Sequence, residues 1–133
     1  PSEDLLKNPI FMRKYRGYFD VIFFSPPYYR LELYPGTTQS TTRYNTYEDW
    51  LEGYWANTIR LCSHVLTKGG RLCYIIGNYG KEDDEVSLIK DLKQITIDVG
   101  NFEYKRMIKM SNKTVAVNKG QDDNSESICI FTK

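Results

Sequence analysis

The run Tyr18 to Phe24, YFDVIFF, closed by Ser25-Pro26-Pro27-Tyr28, constrains this chain more than any other stretch. Apolar, β-branched and aromatic residues follow one another with little alternation. That is the pattern of a strand buried on both faces, as in a parallel sheet. Pro26 and Pro27 then end the strand, because two successive residues without N–H donors cannot continue a central ladder. A buried parallel strand needs further strands beside it and helices over it, so the run predicts an α/β sheet.

The rest of the chain supplies those elements. Arg30 to Asn45, rich in Thr and Ser, has no period and reads as a long loop of the kind often tied to function. Thr46 and Asp49 form a T-x-x-D capping signal for a helix. Apolar residues recur along it at Tyr47, Trp50, Leu51, Tyr54, Thr58, Leu61, Cys62 and Val65, the spacing of one buried face. Trp50 and Tyr54 are accordingly read as core. Lys68-Gly69-Gly70 reads as the helix stop. A second buried strand is predicted over Arg71 to Gly77. An acidic opening at Glu82 to Glu85 leads into a second helix, with Val86, Leu88, Ile89, Leu92, Ile95 and Val99, stopping at Gly100-Asn101. Strands follow over Phe102 to Met110 and Ser127 to Phe131, and are expected to pair as a hairpin. The order is a βαβ series closed by two strands, with right-handed crossovers. No internal repeat or domain boundary is evident, so residues 1–133 read as one domain.

Composition narrows the function classes. Eighteen basic and seventeen acidic residues leave a formal charge of +1, which argues against a module that grips nucleic acid by backbone charge alone. The cysteines Cys62, Cys73 and Cys129 are odd in number and lack metal-ligand spacing. They read as buried free thiols suited to a reducing compartment. His64, the only histidine, has no ligand-type neighbour and reads as structural. No metal site, membrane span or secretory signal is expected.

In an open α/β sheet, ligands bind beyond the carboxyl ends of the strands, and Ser25-Pro26-Pro27-Tyr28 lies at such an end. The two prolines stiffen the turn and leave carbonyl oxygens with no local N–H to satisfy them. A planar amine with two hydrogens is the matching ligand, giving one N–H to the Ser25 hydroxyl and one to the Pro26 carbonyl. The Tyr28 ring can stack on the flat group that carries it. Held so, the nitrogen lone pair can be turned toward an electrophilic methyl group.

These residues resemble motif IV of the DNA amino-methyltransferases, a (D/N/S)-P-P-(Y/F/W) turn after the fourth strand of a Rossmann-like sheet. The helix-bearing segment TYEDWLEGYWANTIRLCSHVLTKGG, the strand RLCYIIGN and the ending ESICIFTK are similar to the family's elements downstream of that turn. The likeness therefore extends from Gly17 to the chain end. It implies a Rossmann-like S-adenosylmethionine-dependent methyltransferase fold, present as its C-terminal half and ending in an antiparallel β-hairpin. It also implies transfer of a methyl group from S-adenosylmethionine to adenine N6 or cytosine N4, in DNA in preference to RNA, on a base rotated out of the stack. Direct in-line attack by the amine needs no covalent intermediate, and no Cys follows a Pro at the motif, which argues against methylation of a ring carbon.

By the resemblance, Ser25, Pro26, Pro27 and Tyr28 are the catalytic set. Asp4, Phe24 and Ser25 are expected at the cofactor, with PSEDL standing where the family's third strand ends. Tyr28, Tyr29, Arg43, Asn78 and Tyr79 are expected at the substrate. Lys105, Arg106, Lys109 and Lys113 could meet phosphates, although a solvated strand face explains them better. The family's glycine-rich cofactor loop is missing, for no G-x-G occurs in the chain. An upstream segment or a partner chain would have to complete the cofactor site. Two alternatives stay open: a non-catalytic methyltransferase-fold protein with a binding or structural role, and a protein-glutamine N-methyltransferase, whose amide poses the same hydrogen-bonding problem. An intracellular location is expected from the thiols and the cofactor.

Overall fold

The computed structural model describes residues 2–26, 44, 46–77, 88–110 and 126–133. A 3-10 helix, Ser2–Lys7, precedes a short α-helix, α1 (Pro9–Lys14), whose first turn is capped by Asn8 Oδ1 accepting from the N–H groups of Ile10 and Phe11, each at 3.1 Å. The sheet comprises β1 (Phe19–Phe24), β2 (Leu66–Gly77), β3 (Glu103–Lys109) and β4 (Glu126–Thr132). Its order is β1-β2-β4-β3, with β1 parallel to β2 and β4 antiparallel to both of its neighbours. The 111–125 segment between β3 and β4 lies outside the described residues.

The principal helix, α2, begins where T-x-x-D predicts, with Thr46 Oγ1 accepting from the Asp49 N–H at 3.0 Å. It runs as α over Tyr47–Trp50, as π over Leu51–Ala56 and again as α over Asn57–Val65. A π turn closes i→i+5 bonds and so brings residues five apart toward one face. Trp50 and Trp55 are five apart, and both are fully buried. A strict 3.6 period finds only the first of them. The side-chain amide of Asn57 donates to the Gly53 carbonyl at 2.9 Å, which satisfies an acceptor where the helical ladder changes step.

Helix α3, Leu88–Gly100, ends as expected: Asn101 takes the left-handed conformation (φ 54°) that terminates helices. The glycines at 69–70 act differently from the expected helix stop. Helix α2 ends at Val65 and the chain enters β2 at once, at Leu66. Gly69 (φ +81°) and Gly70 lie within that strand, and a Cβ on Gly70 would stand 2.9 Å from the Thr67 carbonyl oxygen and 3.1 Å from that of Asp20. The strand is held there by Lys133, whose carbonyl accepts from Gly69 N–H (2.8 Å) and whose N–H donates to Gly70 O (2.9 Å).

The core lies between one face of the sheet and helices α2 and α3. Leu72, Tyr74 and Ile76 of β2 and Cys129 and Phe131 of β4 meet Trp50, Trp55, Ile59 and Leu92 there. Ile22 and Phe24 of β1 pack against the same cluster. One expectation fails in β1. Phe19, Val21 and Phe23 are exposed, the last two at 57%, so the strand is not buried on both faces. It is the terminal strand of the sheet among the described residues, and helices α2 and α3 cover the other side.

The remaining sequence expectations meet mixed outcomes. Trp50 and Tyr54 are core residues. Cys62 and Cys129 are buried free thiols, but Cys73 is only half-buried, because its side chain falls on the uncovered face of β2. His64 is structural: its imidazole Nε2 hydrogen-bonds the Met12 carbonyl and its own carbonyl accepts from the Gly17 N–H at 2.9 Å, joining α1 to α2. No helix among the described residues is long and apolar enough to cross a membrane.

Candidate active site

Strands β1 and β2 run parallel with Phe24 opposite Tyr74, so their carboxyl ends, Ser25-Pro26 and Gly77, emerge at one pole of the sheet. Because β4 is antiparallel to β2 and Gly77 pairs with Glu126, the amino end of β4 reaches the same pole. Glu126 is thus brought beside the expected ligand pole by sheet pairing alone. Nothing in its local sequence signals this, since it lies about a hundred residues along the chain from Ser25.

Burial alternates through the motif. Ile22, Phe24 and Pro26 are partly or fully buried, whereas Val21, Phe23 and Ser25 are exposed. Ser25 therefore sits on the uncovered side of the sheet while Pro26 is anchored toward the core. Phe24 supplies the other half of the anchor, its ring centroid 5.9 Å from that of Trp55 and 6.0 Å from that of Tyr74. Beneath it lies a buried polar chain. The Trp55 indole N–H and the Thr96 hydroxyl both donate to the Leu92 carbonyl, at 3.0 and 2.7 Å. With the only Thr96 hydroxyl hydrogen committed there, the 3.0 Å contact between Tyr74 and Thr96 has the Tyr74 hydroxyl as donor. Burial holds the Tyr74 phenol far above its ordinary value, so it is a fixed donor and no acid or base.

Tyr44 is held by contacts with distant segments. The Tyr44 ring stands where a Cβ on Gly53 would be, and its hydroxyl reaches Glu3 Oε1 at 3.5 Å. Glu3 is 4% exposed, and after burial its charge is the next cause of the upward shift of the Tyr54 phenol. Tyr44, Gly53 and Glu3 carry no motif, so sequence reading did not single them out.

Asp4 stands in the first turn of the 3-10 helix Ser2–Lys7, which packs against α2. An acidic residue there suits the start of a helix, which accounts for PSEDL locally. The structure thus places Ser25, Pro26 and Phe24 together and puts Asp4 in a separate element. Pro27, Tyr28, Tyr29, Arg43, Asn78 and Tyr79 lie outside the described residues. Lys105, Arg106 and Lys109 are exposed on β3, and Lys113 is outside the described residues. Among the described residues no group of three or more His, Cys, Asp or Glu could hold a metal ion.

Among the described residues, a cofactor of the S-adenosylmethionine type would find only part of a site. The described residues offer an exposed hydroxyl and a proline-ended strand on an aromatic floor, which fits the side where a methyl group is received. They offer no glycine loop at a strand end to approach an adenosine or a carboxylate.

No protein-family model matches the chain, and no curated protein sequence matches it. Solved structures do match. The chain superposes on crystal structures of a Thermus thermophilus protein named as a putative DNA modification methylase, with a TM-score of 0.68 at 19% identity for one form and 0.67 at 18% for its selenomethionine derivative. Each match covers 99% of this chain and 51% of the other. The same protein crystallised with S-adenosyl-L-methionine matches with a TM-score of 0.65 at 17% identity, over 99% and 52%. At this identity the likeness establishes a shared fold. The chain spans about half the length of these neighbours.

Proposed function

We propose that this chain is the methyl-accepting half of an S-adenosylmethionine-dependent methyltransferase acting on the exocyclic amine of a nucleic-acid base, adenine N6 or cytosine N4, in DNA. The observation that carries the reading is the position of Ser25-Pro26: the start of an S-P-P-Y turn, at the carboxyl end of a parallel strand, anchored by Phe24 and Pro26 with Ser25 left exposed. Support comes from the fold shared with a protein named as a putative DNA modification methylase, which has been crystallised with S-adenosyl-L-methionine.

S-adenosylmethionine supplies, when bound, a methyl group made electrophilic by the sulfonium. The chain's own residues orient the acceptor. The Ser25 hydroxyl and the Pro26 carbonyl take the two amine hydrogens, and the Tyr28 ring stacks on the base. Tyr29, Arg43, Asn78 and Tyr79 contact the substrate, and Phe24 and Ser25 form the chain's wall toward the cofactor. Orientation of this kind accounts for much of the acceleration available to a direct transfer, because no acid, base or covalent nucleophile is required. A second segment or chain supplies the glycine-rich loop.

Calorimetry with S-adenosylmethionine tests the reading, on residues 1–133 and on the protein at its natural length. Binding by the natural-length protein alone is expected, followed by base methylation that drops about 100-fold or more in Ser25→Ala and Tyr28→Ala. Failure of both forms to bind the cofactor would sink the enzymatic reading and leave a repurposed methyltransferase fold.

A further inference from the structure

The formal charge of +1 conceals an uneven distribution along the chain. Residues 5–19, LLKNPIFMRKYRGYF, carry Lys7, Arg13, Lys14 and Arg16 and no acidic residue. That stretch holds +4, which leaves −3 for all the rest, 14 basic residues against 17 acidic ones. All four cations are exposed, and none forms an ion pair among the described residues. A layer of protein over them would have to bring carboxylates to each, since an unpaired charge is costly to bury.

The same stretch gathers four aromatic rings. Tyr15 is the hub, its centroid 4.8 Å from that of Phe11, 5.3 Å from that of Tyr18 and 5.6 Å from that of Phe19. Tyr18 meets Phe19 edge-on at 5.0 Å, and Lys14 Nζ stands 5.3 Å from the Tyr15 centroid. Tyr18 is 63% exposed. The backbone beneath these rings is fixed. The His64 imidazole Nε2 hydrogen-bonds the Met12 carbonyl, and the Gly17 and Tyr18 N–H groups donate to the His64 and Val65 carbonyls at 2.9 and 2.8 Å. Rings and cations carried on fixed backbone lose little freedom when they engage a ligand.

We infer that Lys7, Arg13, Lys14 and Arg16, with the rings of Tyr15 and Tyr18, form a binding surface for an unpaired strand of nucleic acid. The cations meet phosphates and the Tyr18 ring stacks on a base, the pairing of charge with flat rings by which unpaired strands are held without sequence preference. An anionic membrane fits worse, because α1, with six residues, has no continuous apolar face to insert. An acidic protein segment would satisfy the cations and leave the rings without a flat partner. The surface lies at the amino end of β1, and Ser25 follows its carboxyl end, about 20 Å away at the rise of a strand. It is a second contact, separate from the S-P-P-Y turn. The inference rests on charge and ring geometry, and a protein that binds no S-adenosylmethionine would leave it standing.

Fluorescence anisotropy with labelled oligothymidylate of about 12 nucleotides tests it, on residues 1–133 and on the protein at its natural length. Both should bind. Arg13→Gln with Arg16→Gln should weaken binding by about 10-fold or more and reduce the slope of log affinity against log salt by about 1.4. Tyr18→Ala should weaken it by about 5-fold or more. Arg106→Gln with Lys109→Gln, on β3, should leave it within about 2-fold, and all three variants should keep the parent circular dichroism. Absence of binding by residues 1–133 would overturn the inference, as would an equal loss in the β3 pair or none in Tyr18→Ala. A natural-length protein indifferent to the Arg13 and Arg16 changes would show that the surface is covered and overturn it too. Equal affinity for a duplex of the same length would overturn the unpaired strand as occupant. Binding to phosphatidylserine–phosphatidylcholine vesicles without binding to oligothymidylate would assign the surface to a membrane instead.

Discussion

At the residue scale, the side chains that hold the candidate site are those beneath the motif. Trp55 is fully buried, touches Phe24 and donates to Leu92, so Trp55→Ala should cost about 3–5 kcal/mol in chemical denaturation. Tyr74→Phe removes one buried hydrogen bond while Thr96 keeps its own acceptor, and should cost only about 1 kcal/mol. The buried thiols predict alkaline lability. Burial pushes Cys62 up to about 12 and Cys129 up to about 11 from an ordinary 9.0. Above pH 9 the unfolded chain releases these protons and the folded chain keeps them. Stability is therefore full below about pH 9, falls as pH rises, and levels off for each thiol above its folded value. Each unit of separation corresponds to about 1.4 kcal/mol. Urea melts from pH 8 to 11 should show the decline, and Cys62→Ala should flatten it while lowering stability at pH 8. Local sequence made Ser25-Pro26 legible as a candidate, because two prolines after a buried-type run signal a strand end. It could not reveal Tyr44, Gly53 or Glu3, which meet only through contacts between distant segments.

At the element scale, helix ends were easier to read than strand surroundings. The α3 stop at Gly100-Asn101 depends on two residues for different reasons. Asn101 occupies left-handed backbone, so Asn101→Gly should be neutral to slightly stabilising and Asn101→Val should cost about 1–2 kcal/mol. Gly100 is needed for space, since a Cβ there would stand 2.5 Å from the Phe102 ring and 2.7 Å from Ile59 Cγ2. Gly100→Ala should therefore cost about 1–3 kcal/mol, read as a lowered denaturation midpoint with an unchanged slope. The π segment of α2 was not legible, because its burial of both Trp50 and Trp55 departs from the 3.6 period by which helices are recognised. The glycines at 69–70 misled for a related reason: a helix stop and a kink within a strand both use glycine, and only the pairing of β2 with β1 and the contacts of Lys133 separate the two.

For the whole molecule, the balance between its two sheet faces is decisive. In residues 1–133 alone, Val21 and Phe23 are more than half exposed, so Val21→Lys and Phe23→Lys should each shift stability by no more than about 1 kcal/mol. Substitution of Ile76, fully buried on the covered face, by Lys should prevent folding. Thermal melts of the three variants side by side would expose the asymmetry, and equal losses at all three positions would show that the β1 face is packed after all.

The sequence by itself determined the order of the described strands and helices from β1 onward, part of the helical core face, the Ser25-Pro26 end of β1 and the free state of the cysteines, because each depends on periodicity, capping or turn chemistry within a short window; the helical segments Ser2–Lys7 and Pro9–Lys14 and the burial of Trp55 and Ile59 were not read from it. Tertiary structure decided the order β1-β2-β4-β3, the arrival of Glu126 beside Gly77 and the exposure of β1. Hydrophobic patterning says that a strand wants both faces covered. It cannot say what covers them, because burial depends on the neighbours that the fold supplies.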